Sequence, residues 1–175
     1  MKELGLGKIP RRLIIIGLLG IVLVLGYYNI RPLFYTPSYP EDLQIVFKYG
    51  VNTRNILNTS AGTYTKDLIQ DPPITTELTL TKRELDTIWS LIQENGFYTL
   101  EEQSWARSHS IAPEYKYNLI VQAKGYPDTE ITMTDLYHSY KPNEEAFFNI
   151  TKKIVSIIES KPEYKALPKP RGGYA

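Results

Sequence analysis

The chain has 175 residues, no cysteine and a formal net charge of +1. The lack of cysteine excludes disulfides, thiolate catalysis and Cys-ligated zinc. Its two histidines, His109 and His138, do not have the spacing of a metal motif, so we expect neither a metal nor a cofactor. Residues 36–175 hold 15 of the 20 basic and 18 of the 19 acidic residues, a net charge of −3, which argues against nucleic-acid binding.

The first element in chain order is an uncharged apolar run. Residues 13–28 carry no charge over 16 positions, and Asn29 and Ile30 extend the run to 18. A helix of this length spans about 24–27 Å, close to the roughly 30 Å of a bilayer core. The sequence therefore predicts a transmembrane helix at residues 13–30.

The charges around this run predict its orientation. Four basic residues precede it, Lys2, Lys8, Arg11 and Arg12, and only Arg31 follows it closely. Because positive flanks stay inside, we expect residues 1–12 in the cytoplasm and the C-terminal part outside the membrane. The proline-spaced residues 31–41 predict a short, semi-rigid stalk.

Two alternatives to a retained anchor remain open. A cleaved signal peptide has the same layout, and Val24 and Gly26 are small enough to flank a cleavage site, although bulky aromatic residues follow them. The second alternative is a soluble core helix, but such a helix would carry polar residues on one face. An exported chain without disulfides fits a Gram-positive surface better than an animal secretory route.

The next region predicts two strands and a helix. Apolar residues alternate from Leu43 to Tyr49, which is typical of a half-buried strand. Residues 55–68 predict the returning strand, with Gly62 as a bulge, and the Pro72-Pro73 pair is expected to end this unit. Residues 80–97 predict a helix with a capping box formed by Thr81 and Glu84 and a left-handed stop at Asn95-Gly96.

The second half repeats this order. After an irregular connection at residues 99–114, residues 115–125 and 129–137 predict a hairpin, with Ile131 and Met133 facing inward. A second helix is expected at residues 143–161, with Phe147, Ile150 and Ile154 on its apolar face and Pro162 as its stop. The Pro/Gly-rich tail 162–175 is expected to be extended and able to dock on its own domain or on a partner.

The predicted fold class is α+β. The order is an N-terminal transmembrane helix followed by a β-β-α-β-β-α domain at residues 42–161. A mostly antiparallel sheet of four strands with both helices on one face would bury all the apolar faces.

Aromatic and histidine side chains suggest a binding surface. Tyrosine is the most skewed residue type, at 14 of 175, and it is favoured in recognition surfaces because it offers large contact area at low entropic cost. The candidate surface residues are Trp105, His109, Tyr64, Tyr126, Tyr137 and His138. No catalytic motif surrounds them.

The chain also resembles small, uncharacterised exported proteins of Gram-positive bacteria. The resemblance lies in "GTYTKDLIQDPPITTELTLTKREL" and the closing "EYKALPKPRGGYA", and it covers residues 43–175. It implies a signal or anchor segment followed by one α+β domain. It brings no catalytic residues.

Three functions are compatible with these observations. The first is an anchored, outward-facing domain that binds an envelope protein, a cell-wall polymer or a peptide. The second is a cell-envelope hydrolase, for which the candidate residues are Glu101, Glu102, His109, Asp135 and His138. The third is a structural accessory subunit recognised through its anchor helix.

Overall fold

The computed structural model describes residues 38–100, 115–134 and 142–174. The predicted membrane helix at residues 13–30 lies outside these ranges. Within them, no helix has both the length and the apolar character needed to cross a bilayer.

The described residues form one antiparallel sheet, two main helices and two short helical segments. The strands are β1 Gln44–Val51, β2 Asn55–Asn58, β3 Thr63–Leu68, β4 Asp71–Glu77, β5 Tyr115–Gln122 and β6 Thr129–Thr134. The helical elements are α1 Lys82–Glu94, a 3₁₀ turn Phe97–Thr99, α2 Pro142–Ser160 and the short α3 Pro162–Lys165. The strand order across the sheet is β4-β3-β2-β1-β5-β6.

The two halves of the domain meet where β1 pairs with β5. The pairing is antiparallel over the full length of both strands, from Gln44 opposite Gln122 to Val51 opposite Tyr115. It places the first four strands and the later hairpin in a single sheet.

One face of this sheet carries the core. Alternate residues from Leu43, just before β1, to Tyr49 are buried, as the period-two pattern predicts. Apolar residues of both main helices belong to the same buried cluster, including Ile88 and Ile92 of α1 and Ile150 and Ile154 of α2. Both helices therefore cover the same face, and the α+β class, the antiparallel sheet, the inward hairpin residues and the apolar face of α2 are confirmed.

The predicted count of four strands is wrong, because the segment at residues 55–68 is two strands and β4 adds a sixth. The Asn58 side chain accepts hydrogen bonds from the backbone of Ser60 and Ala61, and this closes a turn between β2 and β3. Gly62 ends that turn with φ +64°, so it is a turn residue and not a bulge. The irregularity in β3 lies between Lys66 and Leu68 instead.

The sequence suggested that the Pro72-Pro73 pair ends this unit, but the strand continues through both prolines. Both prolines lie in β4, which is an edge strand, and the paired residues Asp71 and Ile74 flank them. An edge strand tolerates a proline whose missing N–H faces away from the ladder, and the neighbouring proline is accommodated at the irregularity between Lys66 and Leu68. The tail also departs from the prediction, since it begins with α3 rather than with extended chain.

Glu84 joins the start of α1 to the end of α2. Its carboxylate accepts the backbone N–H of Thr81 at 2.7 Å, and the Thr81 hydroxyl receives the Glu84 N–H, so the predicted capping box is confirmed. The same carboxylate accepts a 2.6 Å hydrogen bond from Nζ of Lys161, which is largely buried. One side chain thus caps α1 and neutralises a lysine at the α2–α3 junction.

We expect Glu84→Gln to destabilise the domain by about 1–2 kcal/mol at pH 7, because a charged hydrogen bond is lost while Lys161 stays buried. Burial acts to raise the pKa of Glu84, but the hydrogen bonds from Lys161 and Thr81 outweigh it, so the pKa lies below the ordinary 4.5. A depressed carboxyl pKa stabilises the fold above its unfolded-state value, and this stabilisation is lost as pH falls through the folded-state value. The difference in unfolding free energy between wild type and Glu84→Gln should therefore shrink below about pH 4.5.

Chemical denaturation of the full chain between pH 3 and pH 7 measures this difference. Glu77→Gln makes the same change at an exposed glutamate of β4 and serves as the control. A Glu84→Gln deficit that stays constant down to pH 3 would contradict the assignment.

Candidate aromatic binding site

Only two of the six predicted surface residues lie in the described part of the chain. Trp105, His109, Tyr137 and His138 lie outside it. Tyr126 lies in the turn between β5 and β6 and is 39% exposed.

Tyr64 is fully buried, so its prediction as a surface residue is wrong. It stands opposite Leu57 in the β2–β3 ladder and therefore shares the helix-covered face of the sheet. Its hydroxyl lies 2.7 Å from the hydroxyl of Tyr49 and donates to the Asn55 side chain at 3.3 Å. Burial raises the pKa of both tyrosines, so this pair is a neutral core network.

The structure does not describe the residues proposed for a hydrolase, so their relative positions stay a prediction. Glu101, Glu102 and Asp135, like the two histidines, lie outside the described residues. Among the described residues, no group of three acidic or histidine side chains is arranged to hold a metal ion.

Tyr126 belongs to a group of three rings, here called the aromatic cluster, formed by Trp89, Tyr98 and Tyr126. Trp89 comes from α1, Tyr98 from the 3₁₀ turn, and Tyr126 from the β5–β6 turn. Gly96, with φ +60°, reverses the chain after α1 and brings Tyr98 back beside Trp89. The cluster is therefore assembled from both halves of the domain.

The rings of the aromatic cluster touch in favourable geometries. Tyr126 meets Trp89 edge to face at 4.8 Å and 87°, and it stacks on Tyr98 at 5.2 Å and 24°. Trp89 and Tyr98 are 6.5 Å apart at 65°. Such pairs contribute about 0.5–1.5 kcal/mol each beyond burial, so they hold the exposed Tyr126 ring in place.

Polar groups border the aromatic cluster on the β5–β6 turn. Nε2 of Gln122 donates to the Asp128 carboxylate at 2.9 Å, and both residues are exposed. The Thr129 hydroxyl donates to the Pro127 carbonyl at 3.1 Å. Gln122 and Asp128 thus form a polar pair at the base of the turn that carries Tyr126, and Asp128 is close enough to Tyr98 to influence its hydroxyl.

The hydroxyl of Tyr98 is buried, yet it has no hydrogen-bond partner among the described residues. Burial, with smaller contributions from Tyr126 and Asp128, raises the pKa of Tyr98 to about 12, so the group stays protonated. An unsatisfied buried hydroxyl costs about 1–3 kcal/mol. Such groups are uncommon in native proteins.

A concavity of about 800 Å³ runs between α1 and α2. It is lined mainly by polar side chains, including Asp86, Ser90, Glu94 and Lys153. Ligand sites are usually lined by apolar and aromatic groups, so we take the aromatic cluster, with its exposed Tyr126 ring, as the better candidate.

Sequence reasoning missed Trp89 and Tyr98 as site residues. Trp89 fits the apolar face of α1 and is indeed 4% exposed, so its position alone indicates the core. The usable sequence feature is the Phe97-Tyr98 pair directly after the Asn95-Gly96 stop, where a helix end places aromatic residues near the surface.

We expect Tyr98→Phe to stabilise the unbound protein by about 1–2 kcal/mol, because it removes an unsatisfied buried hydroxyl and keeps the ring contacts. Tyr49→Phe is the matched control, since it removes a hydroxyl that does make a hydrogen bond, and it should destabilise. Thermal or urea denaturation of the full chain measures both changes. Destabilisation by Tyr98→Phe would show that its hydroxyl is already satisfied.

Comparison with known proteins adds no functional assignment for the aromatic cluster. No known family model matches the chain, and no curated protein matches it. What the aromatic cluster binds is therefore inferred from the chemistry of its own side chains.

Proposed function

We propose that the chain is a single-pass, membrane-anchored protein whose α+β domain faces outward and binds a carbohydrate polymer of the cell envelope through the aromatic cluster. The observation that carries the binding proposal is the 39% exposed Tyr126 ring, held against Tyr98 and Trp89.

The sequence supports the anchored location. Residues 13–30 form an uncharged run of bilayer length with basic residues before it. Within the predicted stalk, the N–H and hydroxyl of Ser38 donate to the Asp86 carboxylate of α1 at 2.7 and 2.6 Å.

The chemistry of the aromatic cluster supports a carbohydrate ligand. A sugar ring offers a face of weakly positive C–H groups and a rim of hydroxyls. The face complements the negative face of the Tyr126 ring. The rim complements the amide of Gln122 and the carboxylate of Asp128, which lie at the base of the turn that carries Tyr126.

Charge supports this ligand over a nucleic acid. Residues 36–175 carry a net charge of −3, and the turn that carries Tyr126 also carries the carboxylate of Asp128. A polyphosphate backbone needs a basic surface, whereas a neutral sugar chain does not.

We expect Tyr126→Ala to weaken binding of the purified full chain to insoluble envelope polysaccharide at least tenfold, because the exposed ring supplies the main apolar contact. Tyr115→Ala is the matched control: Tyr115 is 40% exposed, and it should change affinity less than twofold. A co-sedimentation isotherm measures both affinities.

Equal losses for the two variants would contradict a site at the aromatic cluster. Binding that is competed by envelope protein but not by the polysaccharide would replace the carbohydrate with a protein partner. A poly-Leu replacement of residues 11–30 tests the accessory-subunit alternative. In that alternative the helix itself is recognised, so the replacement would abolish function. Binding through the domain predicts little change in the same assay.

A further inference from the structure

The C-terminal tail docks on the connection between β3 and β4. Nε and Nη2 of Arg171 donate to both carboxylate oxygens of Asp71 at 2.8–3.0 Å. The backbone N–H of Arg171 donates to the Leu68 carbonyl at 3.3 Å, and Arg171 forms a parallel bridge with Ile69. The tail thus adds a short length of extended chain beside the sheet, which is a known mode of peptide recognition.

The receiving connection is strained. Ile69 has φ +67°, which is an outlier for a β-branched residue, and the Gln70 N–H donates to the Leu68 carbonyl two residues back, forming a γ-turn. The buried side chain of Asp67 holds this turn by accepting the Ile69 N–H at 3.1 Å. Backbone strain that the surrounding structure enforces is concentrated at functional sites.

Glycine at position 172 is matched to this site. Gly172 has φ +79°, and a Cβ there would collide with the Gln70 side chain. The site therefore favours an arginine followed by a glycine, because the Asp71 carboxylate binds the guanidinium at two points and the positive φ at position 172 suits glycine.

The last residues of the tail are nevertheless weakly held. Arg171 and Asp71 are 72% and 38% exposed, and exposed ion pairs contribute little to stability. The Tyr174 hydroxyl packs against the domain but has no hydrogen-bond partner among the described residues, so its desolvation is not offset by a hydrogen bond there. Earlier in the tail, Tyr164 packs against Tyr64 and Lys66, and Leu167 packs against the core, so the firm attachment ends near residue 167.

We propose that residues 168–174 are a displaceable ligand of their own domain, and that the β3–β4 connection is a binding site for an extended Arg-Gly peptide presented by another polypeptide. Pro168 and Pro170 keep such a segment extended before it binds, which lowers the entropic cost of docking. In the chain described here the tail occupies the site, so a partner binds by competing with it. This site is separate from the aromatic cluster and does not depend on carbohydrate binding.

The test adds a fluorescent peptide, PKPRGGYA, to the chain truncated after Leu167. We expect saturable binding in fluorescence anisotropy, with at least tenfold weaker binding to the full chain because its own tail competes. Asp71→Asn in the truncated chain should weaken binding at least fivefold, and a peptide with lysine in place of arginine should bind less well because the bidentate contact is lost. Asp42→Asn, a matched change at another exposed aspartate, should have no effect.

A second variant keeps the tail and tests the proposal if the truncated chain does not fold. Arg171→Glu in the full chain repels Asp71 and should release the tail, so that added peptide binds as it does to the truncated chain. The proposal is overturned if a folded Arg171→Glu or truncated chain binds no peptide, or if Asp71→Asn leaves the affinity unchanged.

Discussion

The pairing of β1 with β5 is the constraint on which the rest of the structure depends. It joins two segments that are separated by α1 and a long connection, and it does so over the full length of both strands. Closing such a long loop is entropically costly, so the pairing forms only if it buries enough apolar surface to compensate. Phe47 of β1 and Leu119 of β5 face each other across it, and both are fully buried.

The candidate site is a consequence of this pairing. Trp89 and Tyr98 belong to the first half and Tyr126 to the second, so the rings meet only when the two halves share one sheet. The Glu84–Lys161 contact has the same composite origin, since it connects the first turn of α1 with the end of α2. Tertiary assembly and the proposed binding surface are therefore coupled: a mutation that separates the halves removes the cluster as well.

Local physics made part of this fold predictable. Burial of alternate residues in β1, the Thr81–Glu84 box and the Gly96 stop each depend on neighbours within four residues, and all three are confirmed. The turn that ends at Gly62 is local, since Asn58 closes it with Ser60 and Ala61, and the sequence prediction missed this signal. The edge position of β4 was not predictable from local neighbours, because a strand's place in the sheet depends on distant partners. The same limit explains Tyr64: its type suggested a surface, and its register against Leu57 placed it in the core.

Three tyrosine hydroxyls differ in whether the fold brings a hydrogen-bond partner to them. Tyr49 and Tyr64 satisfy each other in the core, whereas the Tyr98 hydroxyl is left without a partner among the described residues. A sequence cannot distinguish these cases, because all three residues sit in apolar surroundings and differ only in which groups the tertiary fold brings within hydrogen-bonding distance. The unsatisfied hydroxyl lies beside the exposed ring of Tyr126, where we propose that a ligand binds.

The proposed function requires the domain to lie outside the cytoplasmic membrane. Because the chain has no cysteine, the side on which the domain lies can be measured directly. A single cysteine introduced by Lys124→Cys lies at an exposed position in the β5–β6 turn, and Lys2→Cys lies in the predicted cytoplasmic end. With a membrane-impermeant maleimide applied to intact cells, we predict labelling of Lys124→Cys, and labelling of Lys2→Cys only after the cells are permeabilised. Labelling of Lys124→Cys that also requires permeabilisation would contradict the proposed location and the envelope ligand inferred from it.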